Sequence, residues 1–399
     1  MAMLVVKKER LLITCGLKAI TCNIGEETCF QLLDISNISK CSTKTANCDR
    51  DKEAAAINEA HVVAADISSC EKYVVLCTSD KHLSLWETDN LSVISNRTSA
   101  RIASKVRFVP SGRAIVLADK SGDAYRFSVE KPHEDGELLL GHISLLLDIL
   151  VTADERYIIT CDRDEKIRVS RYPNAYNIQS YCLGHSEFVT GLSLLPTDET
   201  VLMSSSGDGT IRLWDYAAGI ELYVVDCNGA VPTKDIVEDN QTDNGGCVLP
   251  VRLITTCSLD TTTSLLCTCV SKFQGCLVYH VRGHSNNITA DLMQVLQLQA
   301  EPWDISLTSQ MKLLVLGPVD RKPLCVFVWD CKICQFVACS DMSVAIQVNS
   351  RWDLFQSIAP AVLLPLLYKR KFDNVQVCQE RKKQRLAAIL ASCSDTPAK

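Results

Sequence analysis

The stretch Ser204-Ser205-Ser206-Gly207-Asp208-Gly209-Thr210-Ile211-Arg212-Leu213-Trp214-Asp215, which follows Gly184-His185, is the most informative part of this chain. It spells a strand, a tight Asp-Gly turn and a second strand ending in Trp-Asp, the pattern of one WD-type propeller blade. A buried indole N–H needs an acceptor, and in such a blade a hydrogen-bond chain provides one. We therefore predict a structural tetrad of His185, Ser204, Asp208 and Trp214.

The same pattern recurs at regular intervals. Trp86 lies 128 residues before Trp214, which is three intervals of about 43 and within the ~40–45 residues usual for this repeat. Strand–turn–strand segments that end near residues 128 and 170 fill the two missing positions. Gly141-His142 stands 43 residues before Gly184-His185. Four consecutive blades follow from this spacing.

Weaker repeats extend the pattern to an all-β fold, a seven-bladed WD-repeat β-propeller over residues 1–350. The repeat ends lie near residues 22, 86, 128, 170, 214, 279 and 329. Polar segments at about 33–60 and 228–247 are predicted to be loop insertions. Residues 351–399 form a short basic extension that we expect to be partly helical or disordered. We expect the N-terminal strands to close the ring with a C-terminal strand, for which Val344–Val348 is the candidate.

Composition narrows the function classes. A net charge of −6 argues against a globally basic nucleic-acid binder. Lys7-Lys8-Glu9-Arg10 interrupts the apolar start, so we expect no cleavable signal, and the apolar run 358–367 is too short to span a bilayer. The 21 cysteines lie among apolar strand residues, as reduced core cysteines do. Cys331 and Cys334 form a Cys-x-x-Cys pair, but no second pair completes a zinc site.

No motif of an active site is found. The sequence contains no Walker-type loop, no Gly-x-Gly-x-x-Gly after a strand and no His-Glu-x-x-His. His142, His185 and His284 occupy Gly-His positions, where a loop histidine is usually hydrogen-bonded for structural reasons. We therefore expect a protein that is not an enzyme and that holds no metal or cofactor of its own.

One blade departs from the repeat. Where the blade that ends at Trp214 has Asp208-Gly209-Thr210 and the tryptophan, this blade has Asp164-Glu165-Lys166 and Ser170. Loss of the turn glycine and the indole should weaken the blade, so a compensating role is worth testing. Mixed charges at a blade edge suit docking, since charge pattern fixes register. The alternative is a degenerate repeat with a solvated turn. The candidate docking residues are Arg163, Asp164, Glu165, Lys166 and Arg168.

The C-terminal extension is the second unusual feature, because it concentrates positive charge in an acidic protein. Apolar residues recur between these cations at roughly helical intervals. A basic helix could lie along a phosphate backbone, or it could be a nuclear-import signal or a solvated face. The possible RNA-contacting residues are Lys369, Arg370, Lys371, Arg381, Lys382, Lys383 and Arg385.

Several segments together resemble one family. They are 116–123, 141–142 with 145–148, the string Asp162-Arg163-Asp164-Glu165-Lys166-Ile167-Arg168-Val169-Ser170, 183–189 and 204–214, with a further match at 368–369 and 372–375. These segments are similar to the non-catalytic WD-repeat subunit of the tRNA (guanine-N7-)-methyltransferase. The match is dense over residues 114–215, thin before residue 60 and weak over residues 225–365.

The resemblance implies a heterodimer. In this family the propeller binds and stabilises a separate catalytic subunit, a Rossmann-like methyltransferase that uses S-adenosylmethionine. The pair methylates N7 of a guanosine in the tRNA variable loop. Charged residues of the unusual blade contact the catalytic subunit, which carries over onto Asp164, Glu165, Lys166 and Arg168, with Arg163 as a neighbour. The extension is expected near the RNA, and the expected location is the nucleus, with the cytoplasm as an alternative.

Two other hypotheses remain open from the residues alone. The chain could be a propeller adaptor that recruits protein substrates, for instance to a ubiquitin ligase, with the extension as a nuclear signal. It could also be an autonomous RNA-binding protein, which predicts salt-dependent tRNA binding by residues 369–385.

Overall fold

Runs of alternating and fully apolar residues fold into twenty-eight strands within the part of the chain that the structure, a computed structural model, describes. The described residues are 2–24, 30–36, 60–232, 248–283, 287–340, 342–356, 364–369, 379 and 382–383. Four consecutive strands form each antiparallel sheet, and there are seven such sheets. The seven-bladed propeller is thereby confirmed.

The strands of blades 1 to 3 come first in the chain. They are β1 (Ala2–Lys7), β2 (Arg10–Cys15), β3 (Lys18–Asn23), β4 (Gln31–Asp34), β5 (Val62–Ile67), β6 (Tyr73–Thr78), β7 (His82–Glu87), β8 (Val93–Thr98), β9 (Ala103–Phe108), β10 (Ala114–Asp119), β11 (Asp123–Ser128) and β12 (Glu137–Gly141).

Blades 4 to 7 follow with the same order. Their strands are β13 (Leu146–Val151), β14 (Tyr157–Asp162), β15 (Ile167–Arg171), β16 (Ile178–Cys182), β17 (Val189–Leu195), β18 (Asp198–Ser206), β19 (Thr210–Asp215), β20 (Ile220–Asp226), β21 (Val251–Ser258), β22 (Thr263–Val270), β23 (Gly275–Arg282), β24 (Thr289–Gln297), β25 (Asp304–Leu307), β26 (Lys312–Leu316), β27 (Leu324–Asp330) and β28 (Gln335–Cys339).

The predicted repeat ends all fall on the third strand of a blade, from β3 to β27. The spacing of the repeats predicted these strands because each blade is one local unit, so that strand lengths and turns repeat along the chain. The first strands of neighbouring blades contact one another all round, and β25 also contacts β1, which closes the ring. Seven apolar clusters fill the seven seams between neighbouring blades.

The predicted closure by a C-terminal strand is wrong. Blade 1 takes all four of its strands from the N-terminal part of the chain. The segment Val344–Val348 lies instead in a helix, α1 (Ser343–Asn349), whose buried residues Val344, Ala345 and Val348 join the cluster between blades 7 and 1. A short apolar run can be strand or helix, and here the buried positions follow helical spacing.

Polar contacts also hold this closing seam. The Asn349 side chain pairs with the backbone of Leu324, accepting its N–H at 3.0 Å and donating to its carbonyl at 3.1 Å. Across the same seam, the N–H of Leu4 donates to Oδ2 of Asp304 at 2.8 Å. The helix and these hydrogen bonds therefore stabilise the closure that we expected a shared strand to provide.

The chain divides into a compact unit, Met1–Val362, and a second unit, Leu363–Lys399. In the first unit a 3-10 helix (Trp352–Leu354) follows α1. In the second unit the structure describes a short helix, α2 (Leu364–Leu367). Most of the two predicted insertions, at 37–59 and 233–247, lies outside the described residues. At their edges, residues 33–34 belong to β4 and Asn228–Ala230 forms a 3-10 turn.

The described cysteines are free, and most are buried. Burial raises the pKa of the Cys161, Cys267 and Cys269 thiols well above the ordinary value, so they stay protonated and pack as small apolar groups. Cys331 is exposed, and the Cys334 thiol lies 3.6 Å from the Cys331 carbonyl. Among the residues described, no group of three or more metal-binding side chains comes together.

Candidate docking site on the fourth blade

The fifth blade supplies the reference geometry. His185 Nδ1 lies 2.8 Å from Asp208 Oδ2, and His185 Nε2 lies 2.7 Å from Ser204 Oγ. Trp214 Nε1 donates to the same Ser204 oxygen at 2.8 Å, and Trp214 is fully buried. The structure thus joins the four side chains of the predicted tetrad in one chain. The buried indole finds its acceptor in Ser204.

Asp208 is the charged end of that chain. Burial alone would raise the pKa of its carboxyl, but hydrogen bonds from His185 and Thr210, together with the His185 charge, hold that pKa well below its usual range. The carboxylate form is therefore the one that the folded blade favours.

The fourth blade keeps half of this arrangement. His142 Nε2 lies 2.9 Å from Thr160 Oγ1, and Thr160 stands opposite Arg168 as Ser204 stands opposite Arg212. The histidine's carboxylate partner, however, is Asp162, whose Oδ2 lies 2.9 Å from His142 Nδ1. Alignment of the two repeats matches Asp164 to this position, and the partner is two residues earlier.

Asp162 also shapes the turn that follows it. Its Oδ1 accepts the backbone N–H of Asp164 at 2.9 Å and that of Lys166 at 3.0 Å. Asp162 is buried, and its two carboxylate oxygens have different partners. Oδ2 lies beside His142 in the loop before β13, and Oδ1 accepts the two N–H groups of the turn. Sequence reasoning missed this residue. Its position at the end of β14 was the only available signal.

Arg168 bonds Ser170, the residue that stands in the place of the missing tryptophan. Its guanidinium donates to Ser170 Oγ at 2.9 Å, to the Gly141 carbonyl at 3.2 Å and to the Ala175 carbonyl at 3.0 Å. The side chain is half-buried, and burial lowers the pKa of the guanidinium, which still stays charged. Arg168 therefore holds the blade together from within. Its predicted contact with a partner stays a prediction.

The turn itself presents the remaining predicted residues. Glu165 adopts a positive φ of 66°, the conformation that Gly209 adopts at 79° in the fifth blade. Lys81 adopts the same conformation, at 71°, in the corresponding turn of blade 2, so a left-handed residue is a feature that this type of turn shares between blades. Lys166 is exposed, and among the described residues its ammonium forms no ion pair. Arg163, Asp164 and Glu165 are half-buried beside it.

Two apolar neighbours of the turn were missed by sequence reasoning. Ile143 and Leu183 are strongly exposed, and each sits beside a Gly-His pair. That position could have drawn attention to them, because Gly141-His142 and Gly184-His185 mark the loops that enter blades 4 and 5.

The cations of the C-terminal extension are only partly described. Lys369 is exposed, and Lys382 and Lys383 are exposed and helical. Arg370, Lys371, Arg381 and Arg385 lie outside the described residues. Contact of these seven side chains with RNA stays a prediction. No helix in the described ranges is long and apolar enough to cross a bilayer.

Comparison with known proteins gives a consistent result. Residues 128–323 match the family model described as the tRNA methyltransferase TRM82 WD40 domain. The chain is 33% identical to the Xenopus laevis tRNA (guanine-N(7)-)-methyltransferase non-catalytic subunit wdr4, with 96% of this chain and 94% of that protein covered. It is 34% identical to the Homo sapiens non-catalytic subunit WDR4, with 79% and 74% covered.

Solved structures support the fold alone. A chain of a mitotic checkpoint complex aligns with a TM-score of 0.60 at 10% identity, covering 79% of this chain and 83% of that one. The RRP9 WD40 repeats align with a TM-score of 0.59 at 15% identity, covering 78% and 86%.

Proposed function

We propose that this chain, which belongs to the family of non-catalytic subunits of the tRNA (guanine-N7-)-methyltransferase, binds and stabilises the catalytic subunit of that enzyme. The chain itself is not catalytic. The proposed contact is the turn of the fourth blade from Arg163 to Lys166, with Arg168 behind it. The catalytic subunit would bring S-adenosylmethionine, and the product would be N7-methylguanosine in the tRNA variable loop.

The proposal rests mainly on the conformation and the exposed charge of the Arg163–Lys166 turn. Its backbone is fixed by Asp162, its centre is held at a positive φ, and Lys166 projects a charge outwards. A rigid charged corner loses little conformational entropy on binding. It also fixes the register of a partner whose charges complement it.

Support for tRNA contact through the complex comes from exposed cations on the loops of blades 2 and 3. Lys81, Arg101 and Lys120 are exposed cations on the loops that connect β6 to β7, β8 to β9 and β10 to β11. The backbone N–H of Lys120 bonds the Ile102 carbonyl at 3.1 Å, so the last two loops are adjacent. Such loops leave each blade on the same side as the Arg163–Lys166 turn. A phosphate backbone beside the docked subunit would meet these charges.

The adaptor hypothesis receives less support, because the relatives named above are subunits of a tRNA methyltransferase. A nuclear location, with the basic extension as the import signal, remains part of the proposal. The same extension is proposed to lie near the RNA.

Reconstitution tests the proposal directly. Purified chain, purified catalytic subunit and their mixture are each assayed for methyl transfer from S-adenosylmethionine to tRNA. We expect no transfer by this chain alone and restored or increased transfer by the mixture. Transfer by this chain alone would overturn the non-catalytic assignment, and a mixture that neither associates nor gains activity would overturn the scaffold role.

Charge reversal then locates the contact. Lys166→Glu is expected to weaken association by about 2 kcal/mol or more if the ammonium is buried against a carboxylate in the complex. Lys332→Glu, an exposed lysine on the turn between β27 and β28, is the matched control. Binding of both variants at the wild-type level would place the docking site elsewhere.

A further inference from the structure

Two large apolar side chains stand in solvent beside the charged turn. Ile143 has a relative exposure of 103% and Leu183 of 63%. Single exposed apolar residues are common on protein surfaces and need no explanation. These two differ because they occupy the two loops that flank a single blade, the loop leading into blade 4 and the loop leading out of it.

Backbone contacts tie both loops to the turn. The N–H of Arg163 donates to the carbonyl of Leu145 at 2.9 Å, which places the Ile143 loop against one side of the turn. Strands β15 and β16 pair with Ile167 opposite Cys182, so the next residues, Lys166 and Leu183, leave the sheet side by side. Ile143 and Leu183 therefore border the charged turn on its two sides. We call this pair the apolar rim.

The rim is held in place while its side chains stay outside the core. Neither residue belongs to an apolar cluster of the propeller. On the Ile143 side, the Arg168 guanidinium bonds the carbonyl of Gly141 at 3.2 Å, and His142 is fixed by Asp162 and Thr160. Apolar side chains that border a polar centre resemble the anchors of a protein interface, where a few side chains carry most of the affinity.

We propose that the apolar rim anchors the catalytic subunit by burying Ile143 and Leu183 against apolar side chains of that partner, while the Arg163–Lys166 turn sets the register. The inference rests on the proposed function, since the rim is continuous with the proposed docking turn. The partner surface should combine an apolar patch with a carboxylate placed for Lys166. Affinity then comes mainly from the rim, and specificity comes mainly from the turn.

The two contributions respond differently to salt. Burial of apolar surface is insensitive to moderate ionic strength, whereas attraction between exposed charges is screened. The dissociation constant for the purified catalytic subunit is therefore measured at low and at high salt for wild type, Ile143→Ser, Leu183→Ser and Lys166→Glu. Ile333→Ser is the control, because Ile333 is 55% exposed on the distant turn after β27.

We expect Ile143→Ser and Leu183→Ser each to weaken binding about tenfold at both salt concentrations, as loss of one buried aliphatic side chain implies. The loss caused by Lys166→Glu should shrink at high salt, and Ile333→Ser should bind as wild type does. Circular dichroism and the unfolding midpoint confirm that each variant is folded.

Separate outcomes overturn the inference and the proposed function. If the rim variants bind as tightly as wild type while Lys166→Glu binds weakly, the rim is no anchor and the docking turn stands. If wild type itself does not bind the catalytic subunit, the proposed function fails. If sedimentation shows that the chain alone self-associates and that Ile143→Ser abolishes this, the rim is covered by a second copy, and the inference is overturned.

Discussion

One carboxylate contributes to ring closure, and the cost of removing it follows from its hydrogen bonds. Asp304 begins β25 in blade 7, and its Oδ2 accepts the N–H of Leu4 in blade 1 at 2.8 Å, while its Oδ1 accepts the N–H of Ile305 at 2.9 Å. Both donors belong to residues that are 5% exposed. No peptide link crosses this seam, because blades 1 and 7 lie at opposite ends of the chain. The bond from Leu4 therefore directly links the two ends of the propeller.

Replacing Asp304 with alanine leaves those N–H groups without their acceptor. An unpaired buried donor costs about 1–3 kcal/mol, so Asp304→Ala should lower the free energy of unfolding by about 2 kcal/mol. Asp304→Asn behaves differently because an amide oxygen can still accept the Leu4 N–H. It also carries no charge into a site where burial raises the pKa of the Asp304 carboxyl. The amide nitrogen, however, replaces the oxygen that accepts the Ile305 N–H, so Asp304→Asn should lose some stability at neutral pH, but less than Asp304→Ala.

The sign of the pH dependence agrees with this expectation. An acid whose pKa is raised on folding contributes stability below its unfolded pKa and loses that contribution as pH rises through the folded pKa. At neutral pH, which lies above the unfolded pKa, the raised pKa of the Asp304 carboxyl is therefore a cost that asparagine removes. Urea unfolding followed by tryptophan fluorescence measures both variants, with Trp303 next to the substituted residue. Equal losses for alanine and asparagine, or no loss for alanine, would refute the role of this acceptor.

Two further outcomes follow from the other charged groups. Replacing Lys81, Arg101 and Lys120 together with alanine should weaken tRNA binding by the reconstituted complex and reduce the salt dependence of that binding. The affinity for the catalytic subunit should not change. Filter binding of tRNA over a salt series measures both effects, and an unchanged salt slope would contradict the prediction. Because the pKa of Asp208 is lowered in the folded blade, its stabilisation is present above the unfolded pKa of about 3.9 and is lost as pH falls below it. Acid unfolding of Asp208→Asn should therefore show a weaker pH dependence than that of wild type, and identical acid profiles would contradict the assignment.

The blades were predictable because the information for each is local. The spacing from Trp86 to Trp214, with the Asp-Gly turn and the Gly-His pair, lies within single repeats, and the third strands follow it. Closure was not predictable in the same way. The bond between Leu4 and Asp304 joins residues 300 positions apart, and the dipeptide Trp303-Asp304 lies out of register with the repeat ends. The run at Val344–Val348 is short and apolar, and its length alone could not separate strand from helix.

In the candidate site, too, some features could be predicted from the sequence and others could not. The departure from the repeat at Glu165 and Ser170 was visible in the sequence, and it drew attention to this turn. The atoms that stabilise this turn were not visible, because alignment on the fifth blade matches Asp164, and not Asp162, to the tetrad aspartate Asp208. In the structure Asp162 fills that role and Arg168 bonds Ser170. Alignment transfers positions between repeats, but hydrogen-bond partners change when a large side chain such as tryptophan is lost.

The fourth blade separates the groups that fold it from the groups offered to a partner. The polar atoms of Asp162 and Arg168 form hydrogen bonds within the blade and to its loops, so replacement of either residue would change stability and binding together. Lys166, Ile143 and Leu183 are exposed and lie outside the apolar clusters, so their replacement should leave the fold nearly intact. A binding defect at Arg168 would therefore be ambiguous, whereas the same defect at Lys166 or Ile143 would report on the interface. Ser170 stands where Trp214 stands in the fifth blade, and Arg168 bonds both to Ser170 and to the backbone of the neighbouring loops.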